Sequence, residues 1–206
     1  AGTGSSGSAN GTGTSASFDQ PKGITTDGTN LYVSDTENHL IRQIVISTGV
    51  VTTVAGTGSS GSANGTGTSA SFDQPKGITT DGTNLYVSDT ENHLIRQIVI
   101  STGVVTTVAG TGSSGSANGT GTSASFGEPR GITTDGTNLY VATNNNLIRQ
   151  IVISTGVVTT VAGTGSAGTA DGTGTSASFT RPKGITTDGT NLYVADDDQS
   201  GLVPQI

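Results

Sequence analysis

The chain contains 206 residues, of which 30% are hydrophobic, and its formal net charge is −7. It has no Cys, Met or Trp, so a disulfide framework and a thiolate metal site are both excluded. Its eight Lys and Arg residues are dispersed, and an acidic chain of this kind argues against nucleic acid as a partner. No apolar run reaches the length of a membrane span, so we expect no membrane insertion.

The elements of the chain recur with a fixed period. Residues 1–54 and 55–108 are identical, residues 109–161 form a copy one residue shorter, and residues 162–206 form a fourth, shorter copy. We interpret residues 1–206 as a single repeat domain. Each copy opens with a segment of small residues, "AGTGSSGSANGTGTSAS" in the first, which leads into a Phe. This spacing predicts an ordered loop pinned by one aromatic ring per copy: Phe18, Phe72, Phe126 and Phe179.

Four short strands follow the loop in each copy. In the first copy they read "KGITTD", "NLYVSD", "LIRQIVI" and "VVTTVAG", and turns separate them at residues 27–30, 36–38 and 47–49. The Asp27-Gly28 pair is a strong hairpin signal. The third strand carries apolar residues on both of its faces, which predicts a sheet that is covered on both sides.

This pattern predicts an all-β fold: a β-propeller of four-stranded antiparallel blades, with about four blades from this chain. A stacked β-solenoid is the alternative, but two tight hairpins in each repeat argue against it. The fourth copy ends inside its third strand, so we expect the last blade to lack its outer strand and to present an open edge. Further sequence or another subunit would then close the ring or extend it.

The region between the second and third strands resembles a known repeat. Asn38-His39-Leu40 follows "LYVSD" and leads into "IRQI", and Asn92-His93-Leu94 does the same. With the opening "PKGITTDGTNLYVSD", these residues resemble the NHL repeat. The resemblance implies a propeller that binds protein or RNA, serves as a cell-surface or extracellular module, or, in one branch, acts as a metal-dependent amidating lyase. The third copy departs from the motif with "NNNL" at residues 144–147, and the fourth reads "DDDQSGL" at residues 196–202.

The first two copies carry an Asp and an Arg at fixed positions, Asp35 with Arg42 and Asp89 with Arg96. A carboxylate facing a guanidinium could be catalytic, but we interpret the pair as a buried ion pair or capping network that locks the blade. The third copy has Thr143 at the Asp position, so the pair is not needed in every blade. The arginines assigned this structural role are Arg42, Arg96 and Arg149.

His39 and His93 are the only histidines. A catalytic metal site in a propeller channel needs three convergent ligands, and the sequence offers no third His. We therefore interpret both as structural turn residues and expect no metal, no cofactor and no enzymatic activity. The acidic run 196–198 lacks the spacing of a calcium loop and is interpreted as a solvated turn.

The sequence thus predicts a non-catalytic binding or display scaffold at the cell surface or outside the cell. The alternative is a structural repeat protein that self-assembles through its open blade edge into a ring, filament or coat. We expect a protein partner or self-association and, with few aromatic residues, no small-molecule ligand. Asn10, Asn64 and Asn118 begin glycosylation sequons. The predicted interaction loops comprise Asp35, Thr36, Glu37, Asn38, Asp89, Thr90, Glu91, Asn92, Asn144, Asn145, Asp196, Asp197 and Asp198.

Overall fold

The structure, a computed structural model, describes residues 1–197. Within these residues the protein is all-β, with three five-stranded antiparallel sheets and one two-stranded sheet. Each sheet is one blade, and the prediction of a β-propeller architecture is confirmed. Short 3₁₀ turns lie at Gly13–Ser15, Thr36–Asn38, Gly67–Ser69, Gly121–Ser123 and Gly174–Ser176.

The strands of the four blades have equivalent bounds. Blade 1 contains β1 (Gly11–Thr12), β2 (Pro21–Thr26), β3 (Asn30–Asp35), β4 (Leu40–Val45) and β5 (Val50–Ala55). Blade 2 contains β6 (Gly65–Thr66), β7 (Pro75–Thr80), β8 (Asn84–Asp89), β9 (Leu94–Val99) and β10 (Val104–Ala109). Blade 3 contains β11 (Gly119–Thr120), β12 (Pro129–Thr134), β13 (Asn138–Thr143), β14 (Leu147–Val152) and β15 (Val157–Ala162). The described part of blade 4 contains β16 (Pro182–Thr187) and β17 (Leu192–Asp196).

The strand order in blade 1 is β1-β5-β4-β3-β2, and blades 2 and 3 follow the same order. The four long strands are those that the sequence predicts. The outermost strand was not predicted: Gly11 and Thr12 of the Gly-rich segment pair with Val51 and Val50. The prediction of four-stranded blades is therefore corrected to five strands in blades 1–3, because tertiary pairing gives this segment a strand partner that its own residues do not signal.

The hydrophobic core lies between the blades. The inner strands β2, β7, β12 and β16 pack side by side in chain order. We call the face that a blade turns toward the next blade its downstream face, and the opposite one its upstream face. Between blades 1 and 2, Tyr32 and Ile41 on the downstream face share one buried cluster with upstream-face residues of blade 2: Phe72, Ile78, Leu85, Val87, Ile98 and Val105. An equivalent cluster joins blades 2 and 3.

Glycine allows the inner strands to approach each other closely. A Cβ atom on Gly77 would lie 2.1 Å from the carbonyl oxygen of Arg130, and one on Gly23 would lie 2.3 Å from that of Lys76. Both contacts are far inside van der Waals distance, and the opposing atoms are backbone. The Pro-x-Gly-Ile opening of each repeat therefore sets the spacing between neighbouring blades.

The predicted third strand of blade 4 and its open edge fall on residues 198–206, outside the described residues. Asp198, one of the predicted interaction residues, lies there as well. Among residues 1–197, no helix is long and apolar enough to cross a membrane.

Candidate interaction surface at the channel mouth

A cavity of about 680 Å³ lies between the inner strands of the four blades, and we call it the central channel. Every blade contributes the same triplet to its wall, a cation followed by Gly and Ile. The wall is therefore built from apolar Ile side chains, exposed backbone and one positive charge per blade. The four cations are Lys22, Lys76, Arg130 and Lys183.

Carboxylates lie beside three of these cations. Lys76 Nζ is 3.3 Å from Glu91 Oε1, and Arg130 Nη2 is 3.4 Å from Glu128 Oε2. In blade 4 the Lys183 ammonium pairs with Asp197. Positive and negative groups thus alternate around this end of the channel, and we call these paired residues, with Lys22, the charged rim.

Strained backbone borders the rim. The residue before the inner-strand proline has a positive φ in blades 1–3: 48° at Gln20, 47° at Gln74 and 43° at Glu128. Residues before proline normally adopt extended conformations, so this geometry needs support from its surroundings. His39 Nδ1 accepts a hydrogen bond from the Gln74 backbone N–H at 3.1 Å. His93 makes the equivalent bond with Glu128, also at 3.1 Å.

Four of the predicted interaction residues are internal, which corrects that part of the prediction. Asp35, Asp89 and Thr90 have no exposed surface, and Thr36 is 1% exposed. The two threonine hydroxyls donate to carbonyl oxygens of the next blade, Thr36 to Pro75 and Thr90 to Pro129, each at 2.7 Å. The turn between the second and third strands therefore fastens one blade to the next. The two aspartates instead bond to groups of their own repeats, Asp35 to the Asp19 backbone, Asn38 and Arg42.

The remaining residues of these turns are half-buried or exposed. Asn38 Nδ2 donates to the Gly7 carbonyl at 2.8 Å and to Asp35 at 2.9 Å, and Asn92 repeats both bonds in blade 2. Glu91 is exposed and belongs to the charged rim. Glu37 is half-buried at the position equivalent to Glu91. These glutamates are therefore the turn residues with side chains available at the rim.

Asp35 and Arg42 form an ion pair of 2.8 Å, with both side chains fully buried. Arg42 also donates to Asn10 Oδ1 at 2.9 Å and to the carbonyl oxygens of Ala9 and Ser17. Its guanidinium lies 5.2 Å from the centre of the Phe18 ring. Arg42 thus fastens the Gly- and Ser-rich segment of the repeat to the blade.

Blade 2 repeats this network with Asp89 and Arg96, again at 2.8 Å. Burial raises the pKa of Asp89 to about 6, although hydrogen bonds from the Asp73 backbone, Asn92 and Arg96 act in the opposite direction. The carboxylate is therefore ionised at neutral pH. Phe72 is fully buried beside Arg96, with the ring centre 5.3 Å from the guanidinium.

Blade 3 keeps the arginine without the carboxylate. Arg149 is fully buried and donates to Ser125, Ala117 and Asn118, while Thr143 occupies the Asp position. Burial lowers the pKa of Arg149 below its ordinary value. The ring of Phe126 lies 5.3 Å from the guanidinium.

The Asn-rich turn of blade 3 takes over two roles. Asn144 Nδ2 donates to Glu128 Oε2 at 3.0 Å, and Asn145 Nδ2 donates to the Gly115 carbonyl at 3.0 Å. Asn144 therefore touches the charged rim, whereas Asn145 secures the loop as Asn38 does in blade 1. In blade 4, Asp196 accepts hydrogen bonds from the backbone of Thr180 and Arg181. Phe179 is half-buried there.

The opposite ends of the blades carry a second repeated network. Tyr32 Oη donates to Asp27 Oδ2 at 2.9 Å, and Tyr86 donates to Asp81 at the same distance. Burial, followed by the bond to the carboxylate, raises the pKa of both tyrosines to about 12. Burial also opposes ionisation of Asp27, but hydrogen bonds from Asn30, Thr29 and Tyr32 outweigh it and lower the pKa of Asp27 to about 2.

In residues 1–197 no group of three or more His, Cys, Asp or Glu side chains is placed to hold a metal ion. Asn10, Asn64 and Asn118 are exposed, and each uses Oδ1 to accept a bond from an arginine. Their glycosylation stays a prediction. Sequence reasoning missed the four channel cations, although a Lys or Arg recurs before every Gly-Ile of the inner strands.

The architecture and the repeated turns define a β-propeller built of NHL-type repeats, and the resemblance seen in the sequence is confirmed. The chain is 38% identical over 97 residues to NHL repeat-containing protein 2 of Gallus gallus, covering 46% of this chain and 13% of that protein. It is 35% identical over 154 residues to Protein SUPPRESSOR OF QUENCHING 1, chloroplastic, of Arabidopsis thaliana, covering 68% of this chain and 14% of that protein. The chain thus spans about a seventh of the length of these relatives. No protein-family model matches it.

Solved structures share the fold. A structural genomics protein of unknown function from Bacteroides thetaiotaomicron has a TM-score of 0.72 and 26% identity, covering 86% of this chain and 45% of that chain. An auxiliary nutrient binding protein from the same species has a TM-score of 0.65 and 19% identity, covering 84% and 44%. Virginiamycin B lyase from Staphylococcus aureus has a TM-score of 0.52 and 17% identity, covering 85% and 48%. Both binding proteins and an enzyme therefore use this architecture.

Proposed function

We propose that the chain is a non-catalytic scaffold that binds a protein partner through the charged rim, at the cell surface or outside the cell. The observation that carries the proposal is the alternation of charge around the channel mouth, where each blade contributes one cation and the cations of blades 2, 3 and 4 each pair with a carboxylate. A protein surface that carries both positive and negative groups complements such a rim, whereas a polyanion such as nucleic acid would be repelled by the carboxylates of the rim.

The partly exposed ion pairs of the rim suit recognition. Exposed pairs add little to stability, so the rim can exchange its internal pairs for pairs with a partner at low cost. The strained backbone at Gln74 and Glu128 places the start of each inner strand beside these charges. Regular spacing of equivalent groups then presents several similar contacts to one partner.

The relatives support this proposal at the level of the fold. A structural neighbour is named as a nutrient binding protein, and the propeller architecture commonly presents its binding surfaces on loops around a central channel. The neighbouring lyase shows that the same fold also carries catalysis in another protein. The proposal for this chain therefore rests on its own rim residues.

A matched pair of variants tests the proposal against a panel of purified extracellular proteins. The first variant replaces three rim cations by Gln: Lys22→Gln, Lys76→Gln and Lys183→Gln. The control replaces three exposed threonines of the opposite turns by Glu: Thr29→Glu, Thr83→Glu and Thr190→Glu. Both variants change the net charge equally, so only position differs. We expect a protein that binds wild type and control but binds the rim variant at least about tenfold more weakly. An equal loss of affinity in both variants would overturn the assignment of the binding site to the charged rim.

The second candidate function is self-assembly into a ring, filament or coat. The sequence suggested the open edge of the fourth blade as its site, and that prediction falls on residues 198–206, outside the described residues. A different feature supports the idea here: the upstream face of blade 1 is exposed, with Ile24 at 60%. Light scattering of the full chain over a concentration series tests it, since self-assembly requires a mass that rises above 20.3 kDa.

A further inference from the structure

The two end faces of the blade array are apolar and exposed. Ile24 on the upstream face of blade 1 is 60% exposed, while Ile78, its counterpart in the identical second repeat, is 6% exposed. Sequence cannot account for this difference, because residues 1–54 and 55–108 are the same. The difference arises because blade 1 covers Ile78 and nothing in the described residues covers Ile24 to the same extent.

The exposed face of blade 1 forms a groove with a volume of about 370 Å³. Phe18, Ile24, Leu31 and Ile44 line it. The blade 2 counterparts of Phe18, Leu31 and Ile44 have no exposed surface: Phe72, Leu85 and Ile98. Blade 1 therefore carries, uncovered, a surface that is fully packed one repeat further along the chain.

The inner junctions show which surface covers the equivalent faces of blades 2 and 3. In the junction between blades 1 and 2, Tyr32 and Ile41 pack into the cluster that buries Ile78. Tyr86 and Ile95 do the same for Ile132 between blades 2 and 3. The cover is thus the downstream face of another blade, and its Tyr is the largest residue in that contact.

A downstream face with an exposed Tyr is present at the other end of the array. Tyr193 of blade 4 is 54% exposed, whereas Tyr32 and Tyr86 are each 1% exposed. Its hydroxyl makes the same 2.9 Å bond to Asp188 that Tyr32 makes to Asp27, so the side chain has the orientation used in the inner junctions. The two ends of the array therefore expose Ile24 and Tyr193, whose counterparts pack in the same cluster at the inner junctions.

We propose that the upstream face of blade 1 docks the fourth blade of a second copy of this chain, with Tyr193 of one copy packed on Ile24 of the other. The inference rests on the second candidate function, self-assembly, and assigns it a site and a polarity. The contact continues an interface that the chain already forms twice. The contact is heterologous, because it joins two different faces of the chain. Successive copies therefore close into a ring if the rotation between them permits, and otherwise extend as a filament.

Cross-linking tests the contact directly, because the chain has no native cysteine. The full chain carrying Ile24→Cys is mixed with the full chain carrying Tyr193→Cys, and a short bismaleimide is added. We expect covalent dimers of the two variants. A matched control replaces Tyr193→Cys by Val104→Cys, whose native side chain is 37% exposed but lies on an outer strand. Equal cross-linking in the control, or efficient cross-linking of Ile24→Cys to itself, would overturn the proposed polarity.

Self-association provides the second measurement. Sedimentation of wild type, Ile24→Asp and the control Val104→Asp should show association weakened about tenfold or more in the first variant alone. Circular dichroism melts establish that each variant is folded. Association that survives Ile24→Asp with no Ile24–Tyr193 cross-link would overturn the docking site and leave self-assembly standing. A monomer at every concentration would overturn both.

Discussion

His39 of blade 1 accepts a hydrogen bond at Nδ1 from the backbone N–H of Gln74 in blade 2, across the junction of the two blades. Both residues have positive φ, 55° and 47°. His39, itself in a left-handed conformation, thus stabilises the strained backbone of Gln74 in the next repeat. The equivalent residue of blade 3 is Asn146, with φ of 62°, and Asn is one of the few residue types besides Gly that adopt the left-handed region readily.

This relationship predicts a difference between two substitutions of His93. His93→Asn should change the free energy of unfolding by less than about 1 kcal/mol, because Asn supplies an acceptor and tolerates the left-handed region. His93→Ala should cost about 1–3 kcal/mol, since it loses the acceptor for Glu128 and adopts an unfavourable φ. Urea denaturation of both variants provides the measurement. Equal costs would contradict the bridging role.

The buried pair between Asp89 and Arg96 predicts a large effect of Asp89→Asn. Removing the charge leaves Arg96 buried without its carboxylate, which should cost about 3–5 kcal/mol. The control is Glu91→Gln, which removes the partly exposed partner of Lys76 and should cost less than about 1 kcal/mol. Thermal and urea unfolding compare the two. A cost for Asp89→Asn as small as that of the control would show that the ion pair is dispensable.

Blade 3 offers the reverse experiment. Thr143→Asp should restore a carboxylate beside the buried Arg149 and stabilise the protein by about 1–3 kcal/mol. Thr143→Val is the control, because it removes the hydroxyl that donates to the Leu147 carbonyl and adds no charge, and it should cost about 1 kcal/mol. Differential scanning calorimetry follows both. Destabilisation by Thr143→Asp would mean that the shorter turn of blade 3 cannot seat the carboxylate.

The close approach of the inner strands predicts that Gly77→Ala is destabilising by about 1–3 kcal/mol or more, because the new methyl would meet the Arg130 carbonyl at 2.1 Å. Gly184→Ala is the matched control from blade 4. Its Cβ would have Ala195 Cβ as nearest neighbour at 3.4 Å, an ordinary contact, so its effect should stay within about 0.5 kcal/mol. Chemical denaturation of both variants checks the contrast. If the two variants were equally stable, the inner strands at Gly77 would be further apart than 2.1 Å between the added Cβ and the Arg130 carbonyl oxygen implies.

The turn aspartates predict loss of stability in acid. The pKa of Asp81, like that of Asp27, lies below the ordinary value of 3.8 in the folded protein, because hydrogen bonds to the carboxylate outweigh burial. The folded state therefore binds protons less readily than the unfolded chain. The stability that this provides is fully present above the ordinary pKa of 3.8 and is lost as the pH falls through the lowered pKa of each carboxyl group, which is about 2 for Asp27.

The measurement is a series of thermal melts between pH 7 and pH 2 for wild type and Asp81→Asn. The gap in melting temperature should be largest at neutral pH and should close in acid. Asp171→Asn, at an exposed loop position, serves as the control and should show no such gap. A gap for Asp81→Asn that is independent of pH would refute the electrostatic origin.

The four long strands of each blade were predictable because their residues carry the signals themselves. Alternating β-branched residues mark the strands, and Asp-Gly pairs mark the hairpins. The outer strand at Gly11–Thr12 was missed because it becomes a strand only through pairing with Val50 and Val51. Its residues have low strand propensity and no local pattern.

The polar residues of the second turn were harder to interpret. Asp35 and Thr36 resemble exposed loop residues in sequence, yet both are buried. Whether Thr36 faces solvent or donates to Pro75 depends on the position of a residue one repeat later, and short-range pattern does not contain that information. The regular recurrence of Lys76 and its counterparts is visible in the sequence. Their shared position on the channel wall becomes visible only in the structure.

The outermost strand of each blade has a consequence for how such a chain can change its length. Gly11–Thr12 pairs with β5 of the same blade, so every hydrogen-bonded sheet in blades 1–3 is completed from one continuous stretch of chain. Copying or deleting one 54-residue unit would therefore add or remove a whole sheet and break no strand pairing. Only the contacts between faces would need to re-form, and repeats 1 and 2 have identical faces. Such modularity makes the number of blades free to vary by unequal duplication, while each blade remains the same folding unit.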